Sequence, residues 1–178
     1  MPHRLFPGID SPRSEPRVAL HASHERLLTF TLSLLHVATL PDLAHPSAPV
    51  AAGRARRYFV EGLPLHTAYE DLSLAARLRV AVPESGPLLD ELQRDHQQID
   101  ACLATLLPLL GALAEGRAVP ATTFREAVRC LTDVLLPHIR REKNELVPLC
   151  CRLSVADGAA VASEMVERRS YPDRPAAA

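Results

Sequence analysis

A histidine followed four residues later by a glutamate occurs twice in this chain, as His66-Thr67-Ala68-Tyr69-Glu70 and as His138-Ile139-Arg140-Arg141-Glu142. Residues four apart lie one above the other on a single helix face, so each pair can present an imidazole and a carboxylate to one point. The pairs belong to a longer repeat. His24 stands 42 residues before His66, His96 stands 42 before His138, and the two sets are offset by 72 throughout. His24, His66 and Glu70 therefore map onto His96, His138 and Glu142, an internal duplication that constrains the fold before any element is assigned.

Leu and Ala dominate, and only 4% of the 178 residues are aromatic, so strong helix formers fill the chain and it reads as all-α. From Arg17 apolar residues recur at three and four, which predicts a helix carrying His24 and stopping near Pro41. Ser47-Ala48-Pro49 offers an N-cap and a first-turn proline for a second helix running to about Val80, bent by Gly62 and Pro64 just before His66. The turn Pro83-Glu84-Ser85-Gly86-Pro87 leads into a third helix, which carries His96, is distorted at Pro108 and ends at Gly116. A capping box at Thr123-Phe124-Arg125-Glu126 opens a fourth, with irregularities at Pro137 and Pro148, to about Arg152. Ser154-Val155-Ala156-Asp157, of the same form, starts a short fifth helix ending near Arg169. The expected organisation is an irregular arm over 1–16, a four-helix bundle over 17–152, and a C-terminal helix with a loose tail over 153–178.

Helices joined by short loops run antiparallel, so their levels can be matched. His24 is 15 residues from the end of its helix, and His66 is 16 from the start of the next. Glu70 and His96 lie 10 and 9 residues from their shared turn, and His96 and His138 lie 19 and 16 from theirs. The last mismatch is roughly 4–5 Å at the helical rise. All six residues can converge on one layer of an up-down-up-down bundle. An ionised carboxylate on an inward face is very costly without a partner, so six such groups in one layer require a cation. Four imidazoles and two carboxylates suit a pair of metals, each holding histidines from two helices, with Glu70 and Glu142 as bridges. The histidine content favours iron over magnesium or calcium and leaves zinc and manganese open.

With a net charge of −1 there is no basic field for nucleic acid, and no polybasic tail for a lipid surface. The longest apolar runs, Leu27 to Leu40 and Ala101 to Ala114, are interrupted and short for a bilayer, so no membrane span is expected. The N-terminus has no apolar run of signal-peptide length, and the expected location is cytoplasmic. The four cysteines (Cys102, Cys130, Cys150, Cys151) lack a metal-type spacing and are expected as thiols, small core residues in a reducing compartment. Redox use of the vicinal Cys150-Cys151 pair is the alternative. No Gly-rich phosphate loop or nucleophile motif is present.

The lone His24, HTAYE over 66–70, the lone His96 and HIRREKNELVPL over 138–149 together resemble the hemerythrin-like, or HHE cation-binding, domain over about residues 17 to 152. The resemblance implies a four-helix bundle around a non-haem di-iron centre bridged by an oxo or hydroxo group and two carboxylates. His24, His66, His96 and His138 would be terminal ligands, and Glu70 and Glu142 the bridges. Oxygen-carrying hemerythrins bear His-x-x-x-His on the third helix, whereas here Asp100 follows His96. Either Asp100, Glu25 or Tyr69 supplies another contact, or a position stays open to oxygen, peroxide or nitric oxide. His21 lacks a repeat counterpart, since Gln93 stands in its place, and Glu145 is placed where it could orient an imidazole through its free N–H. His3, His36 and His45 read as surface or capping residues.

The expectation is a di-iron protein that binds or senses a small diatomic ligand or peroxide. The alternatives are a di-iron peroxidase or oxidase, and a metal-stabilised interaction module in which the two ends meet a partner. For single residues the bland readings are a hydrogen-bonded core histidine, and solvated glutamates paired with Arg77 or Lys143.

Overall fold

The computed structural model describes residues 16–170, so the arm before Pro16 and the tail beyond Ser170 lie outside the described residues. All regular structure among the described residues is helical. The first helix spans Pro16–Thr39. The second rod alternates α-helix and wider π-helical turns: α over Ser47–Arg57, π over Tyr58–Gly62, α over Leu63–Ala68, π over Tyr69–Leu74 and α over Ala75–Ala81. A 3₁₀ turn at Pro83–Ser85 leads into the third helix, Gly86–Ala114. The fourth rod runs as α-helix over Ala121–Arg141, a π turn over Glu142–Leu146, and short α and 3₁₀ turns over Val147–Leu149 and Cys150–Arg152. The fifth helix is Val155–Ser170. The first helix packs on the second and fourth rods, and the third helix packs on both of those rods, which closes an all-α up-down-up-down bundle.

Two of the three π turns have a local cause, and two follow a repeat logic. Pro64 lacks an N–H and its ring crowds the carbonyl four residues back, so the rod widens at Tyr58–Gly62, where Gly62 and Pro64 were expected to bend it. Pro148 stands in the same relation to the turn at Glu142–Leu146. The turns at Tyr69–Leu74 and Glu142–Leu146 fall at the glutamate of each His-x-x-x-Glu, so the duplication in sequence is also one in backbone shape. Such bulges re-aim the side chains that follow, and they are frequent at functional sites.

Capping follows the sequence in one place and departs from it in another. Asp157 N–H donates to Ser154 Oγ at 3.1 Å and the Ser154 hydroxyl donates to Asp157 at 2.6 Å, the expected start of the fifth helix. The fourth rod, by contrast, begins at Ala121 directly after the extended Pro120, which leaves Thr123 inside the first turn. At the end of the third helix Gly116, at φ 72°, turns the chain, and Arg117 N–H returns to the Ala112 carbonyl at 2.9 Å.

Two apolar clusters fill the bundle. One contains Leu27, Leu34, Phe59, Leu106, Phe124, Leu131 and Leu135. The other contains Leu20, Tyr69, Leu74, Leu78, Leu89, Leu146, Val161 and Met165. The fifth helix supplies Val161 and Met165, so it packs on its own chain. It is also tied to the second rod by polar contacts: the Ser73 hydroxyl meets Glu164, Arg77 Nη2 donates to Glu164 at 2.5 Å, and Arg168 Nη1 donates to Ser73 Oγ at 2.7 Å.

One expectation is corrected. Cys102 and Cys130, expected as thiols, form a disulfide, because antiparallel packing of the third helix on the fourth rod brings their Cα atoms to 5.8 Å across a separation of 28 residues. Only Cys150 and Cys151 are free, and the cysteines thus give no support to a reducing compartment. The helical stretch Pro83–Ala114 is, by length and composition alone, apolar enough to cross a membrane, a test that the core helix of a bundle also passes. Its apolar side faces the bundle, where Leu92, Ile99, Leu103, Leu106 and Leu110 are buried.

Candidate metal centre

Each rod brings its chemistry to the same height. His24 follows Leu20 and precedes Leu27 on the first helix, so it points inward with the apolar stripe. His66 is held on the short α segment between two π turns, and Glu70 follows at the start of the second of these. His96 sits between buried Leu92 and Ile99, while His138 and Glu142 flank the end of the α segment of the fourth rod. All six side chains are buried, with Glu142 and His24 at 0% exposure. They form two groups of four, His24, His66, Glu70 and Glu142, and Glu70, His96, His138 and Glu142, each with its donor atoms within 4.8 Å of one another.

The carboxylates divide their oxygens between these groups. Glu70 Oε1 lies 3.5 Å from His66 Nε2 and 3.8 Å from His24 Nε2, whereas its Oε2 lies 3.3 Å from His96 Nε2. Glu142 Oε2 lies 3.0 Å from His24 Nε2, and its Oε1 lies 3.1 Å from His138 Nε2. Despite these distances, neither oxygen of either carboxylate has a hydrogen-bond partner among the described residues, nor does Nε2 of His24, His66 or His96. Buried polar atoms are almost always paired, and a cation on each side of the two carboxylates satisfies this donor set, since imidazole and carboxylate together suit first-row transition metals.

The buried carboxylates and imidazoles shift one another's pKa values. Burial lowers the basicity of His24, but the adjoining Glu142 and Glu70 overcome it and raise the pKa to about 9. For His96 burial is likewise outweighed, by Asp71 and Glu70, and the pKa is raised to about 10. His138 is raised in the same way, its burial outweighed mainly by Glu142. At His66 burial wins and the pKa falls. Burial acts to raise Glu142, yet His138 and His24 hold it well below the usual carboxylate range, and Glu70 is lowered against burial and Glu142 by its own histidines.

A comparison with family models matches the Hemerythrin HHE cation binding domain over residues 16–150. The chain belongs to that family. Neither the curated proteins nor the solved structures give a match, so the family model carries the assignment. Membership and the His/Glu clusters agree on cation binding as the property of this bundle.

The remaining candidates fall away from the cluster. Asp100, four residues after His96, is exposed, and so are His21, His36 and His45. His45 Nδ1 meets the Ser47 hydroxyl at 2.7 Å, just before the second rod. Glu25 is exposed and receives a hydrogen bond from Lys143 at 3.1 Å. The Tyr69 hydroxyl donates to the Pro16 carbonyl at 3.2 Å. Arg77 and Lys143 have other acid partners, which removes the surface pairings considered for Glu70 and Glu142. His3 lies outside the described residues.

Glu145 does not orient an imidazole, because its side chain is exposed. Two aspartates do so instead. His96 Nδ1 donates to Asp71 at 3.1 Å and His138 Nδ1 donates to Asp95 at 3.3 Å, which leaves each Nε2 lone pair to the cluster. Arg141 Nη1 donates to Asp95 at 2.8 Å and fixes that carboxylate in turn. The sequence did carry a signal: Asp71 abuts Glu70 and Asp95 abuts His96.

Proposed function

We propose that this chain is a non-haem dimetal protein in which His24, His66, His96 and His138 are terminal ligands and Glu70 and Glu142 are bridges. Its physiological load would be two irons, and its ligand oxygen, peroxide or nitric oxide. The observation that carries the reading is the division of each buried carboxylate between two histidine pairs. A pair of irons bound there supplies electron transfer to or from such small oxidants. The chain's own part is to exclude water with the apolar clusters on either side of the layer, to neutralise the cations with Glu70 and Glu142, and to aim the imidazoles. The exposed Asp100, and the engagement of Glu25 and Tyr69 elsewhere, support a coordination position left to a non-protein ligand, as a reacting or sensing site keeps.

The test is elemental analysis of protein made in iron-sufficient medium, followed by oxygen and peroxide titration of the reduced form with an optical readout. Two irons per chain and an absorption change on titration are expected. Zinc alone, with iron unable to bind, overturns the reading. Turnover of peroxide that is lost in Glu142→Ala would place the chain among the enzymes, and stoichiometric consumption would place it among the binders or sensors.

A further inference from the structure

The two halves of the cluster have the same ligands and different supports. His96 and His138 each donate Nδ1–H to an aspartate, Asp71 and Asp95. His24 and His66 have buried Nδ1 atoms without a hydrogen-bond partner among the described residues. The difference is written in the repeat. The position 72 before Asp95 is Ser23, and the position 72 after Asp71 is Lys143, which reaches out to Glu25 at 3.1 Å. An acid in one copy is thus a hydroxyl or a cation in the other.

A carboxylate behind an imidazole fixes its tautomer and orientation and makes the ligating nitrogen more electron-rich. Asp71 and Asp95 also place two negative charges near the His96/His138 side, of which Arg141 offsets one, whereas Lys143, at the position equivalent to Asp71, is a cation paired with Glu25. Building on the dimetal reading above, we propose that the two metal positions are inequivalent. The position between His96 and His138 fills first and holds its ion, and the position between His24 and His66 fills second and exchanges. Asp71 and Asp95 are positioning residues for the first position alone. The protein therefore passes through a one-metal form, and its second position can accept a different divalent cation.

The probe is Zn(II), added to metal-free full-length protein with ¹⁵N-labelled histidine and followed by imidazole NMR, with rings assigned by single His variants. At one equivalent, Nε2 of His96 and His138 is expected to move to its metal-bound shift while the rings of His24 and His66 stay at their metal-free positions. In Asp71→Asn with Asp95→Asn, the first position is expected to weaken by about 10- to 100-fold, so that both pairs fill together. The second-position affinity in that variant, measured by chelator competition, is expected to stay as in wild type, which also shows that the variant folds. Parallel filling in wild type, or His24 and His66 filling first, overturns the inference and leaves the dimetal reading standing. Equal weakening of both positions in the variant overturns the role of the aspartates. A wild type that takes up only one Zn(II) at saturation, or none at the cluster, overturns both readings.

Discussion

Residues 24–70 and 96–142 are two copies of one design, and several contacts that support the shared ligands differ between them. In the first copy Phe30 and Tyr58 stack with ring centroids 4.5 Å apart and join the first helix to the second rod. At the positions 72 further on, Cys102 and Cys130 join the third helix to the fourth rod by a disulfide. The same place is thus closed by aromatic contact in one copy and by a covalent bond in the other. The histidines differ similarly, with aspartates behind His96 and His138 only. Duplication preserved what six groups around a charge require and left the supporting contacts free to diverge.

The most damaging change to both copies is expected from loss of a carboxylate that both share. Glu142→Ala is expected to reduce metal content from two ions to at most one, because each half uses an oxygen of that carboxylate; metal analysis after gel filtration checks it. Reduction of the Cys102–Cys130 disulfide, which closes a loop of 28 residues in the second copy only, is expected to cost roughly 2–4 kcal/mol. Urea unfolding with and without reductant measures it, and the Phe30–Tyr58 copy offers no equivalent loss.

The pH dependence of the metal-free protein separates the copies further. The folded pKa values of His24, about 9, and His96, about 10, lie above the unfolded value, so their stabilisation is complete below about pH 6.5. It is lost progressively as pH rises further, completely by about pH 9 for His24 and by about pH 10 for His96. The loss is on the order of a few kcal/mol, read from urea unfolding between pH 6 and 10. Glu70 and Glu142 have the opposite sign: their depressed values stabilise the fold above about pH 4.5, and this is lost on acidification. Loading the metal displaces these protons, so uptake at pH 7 is expected to release acid, detectable with a pH indicator.

Most of the bundle was legible because its code is local and periodic. Leu20 and Leu27 bracket His24 at helical spacing, and the six side chains related by the 72-residue offset lie in one cluster. What was not legible depends on contacts between rods. Cys102 and Cys130 meet only because two antiparallel helices align them, and nothing in their 28-residue separation shows it. Spaced seven residues from His138, Glu145 reads as facing the imidazoles, but it lies inside the π turn over Glu142–Leu146, which changes its angular position. Asp71 and Asp95 reach their histidines across rods, at 25 and 43 residues of separation.

Glu145→Ala is accordingly expected to have the smallest effect, within about 0.5 kcal/mol in urea unfolding and with no change in metal content. A larger loss would mean that the second copy draws support from Glu145 as well as from Asp71 and Asp95.

Anomalous diffraction at the iron edge from iron-loaded crystals tests the central claim most directly. The account predicts two peaks, one between His24 and His66 and the other between His96 and His138, both in bonding reach of Glu70 and Glu142. A single peak, or iron held by any other set of residues, would contradict it.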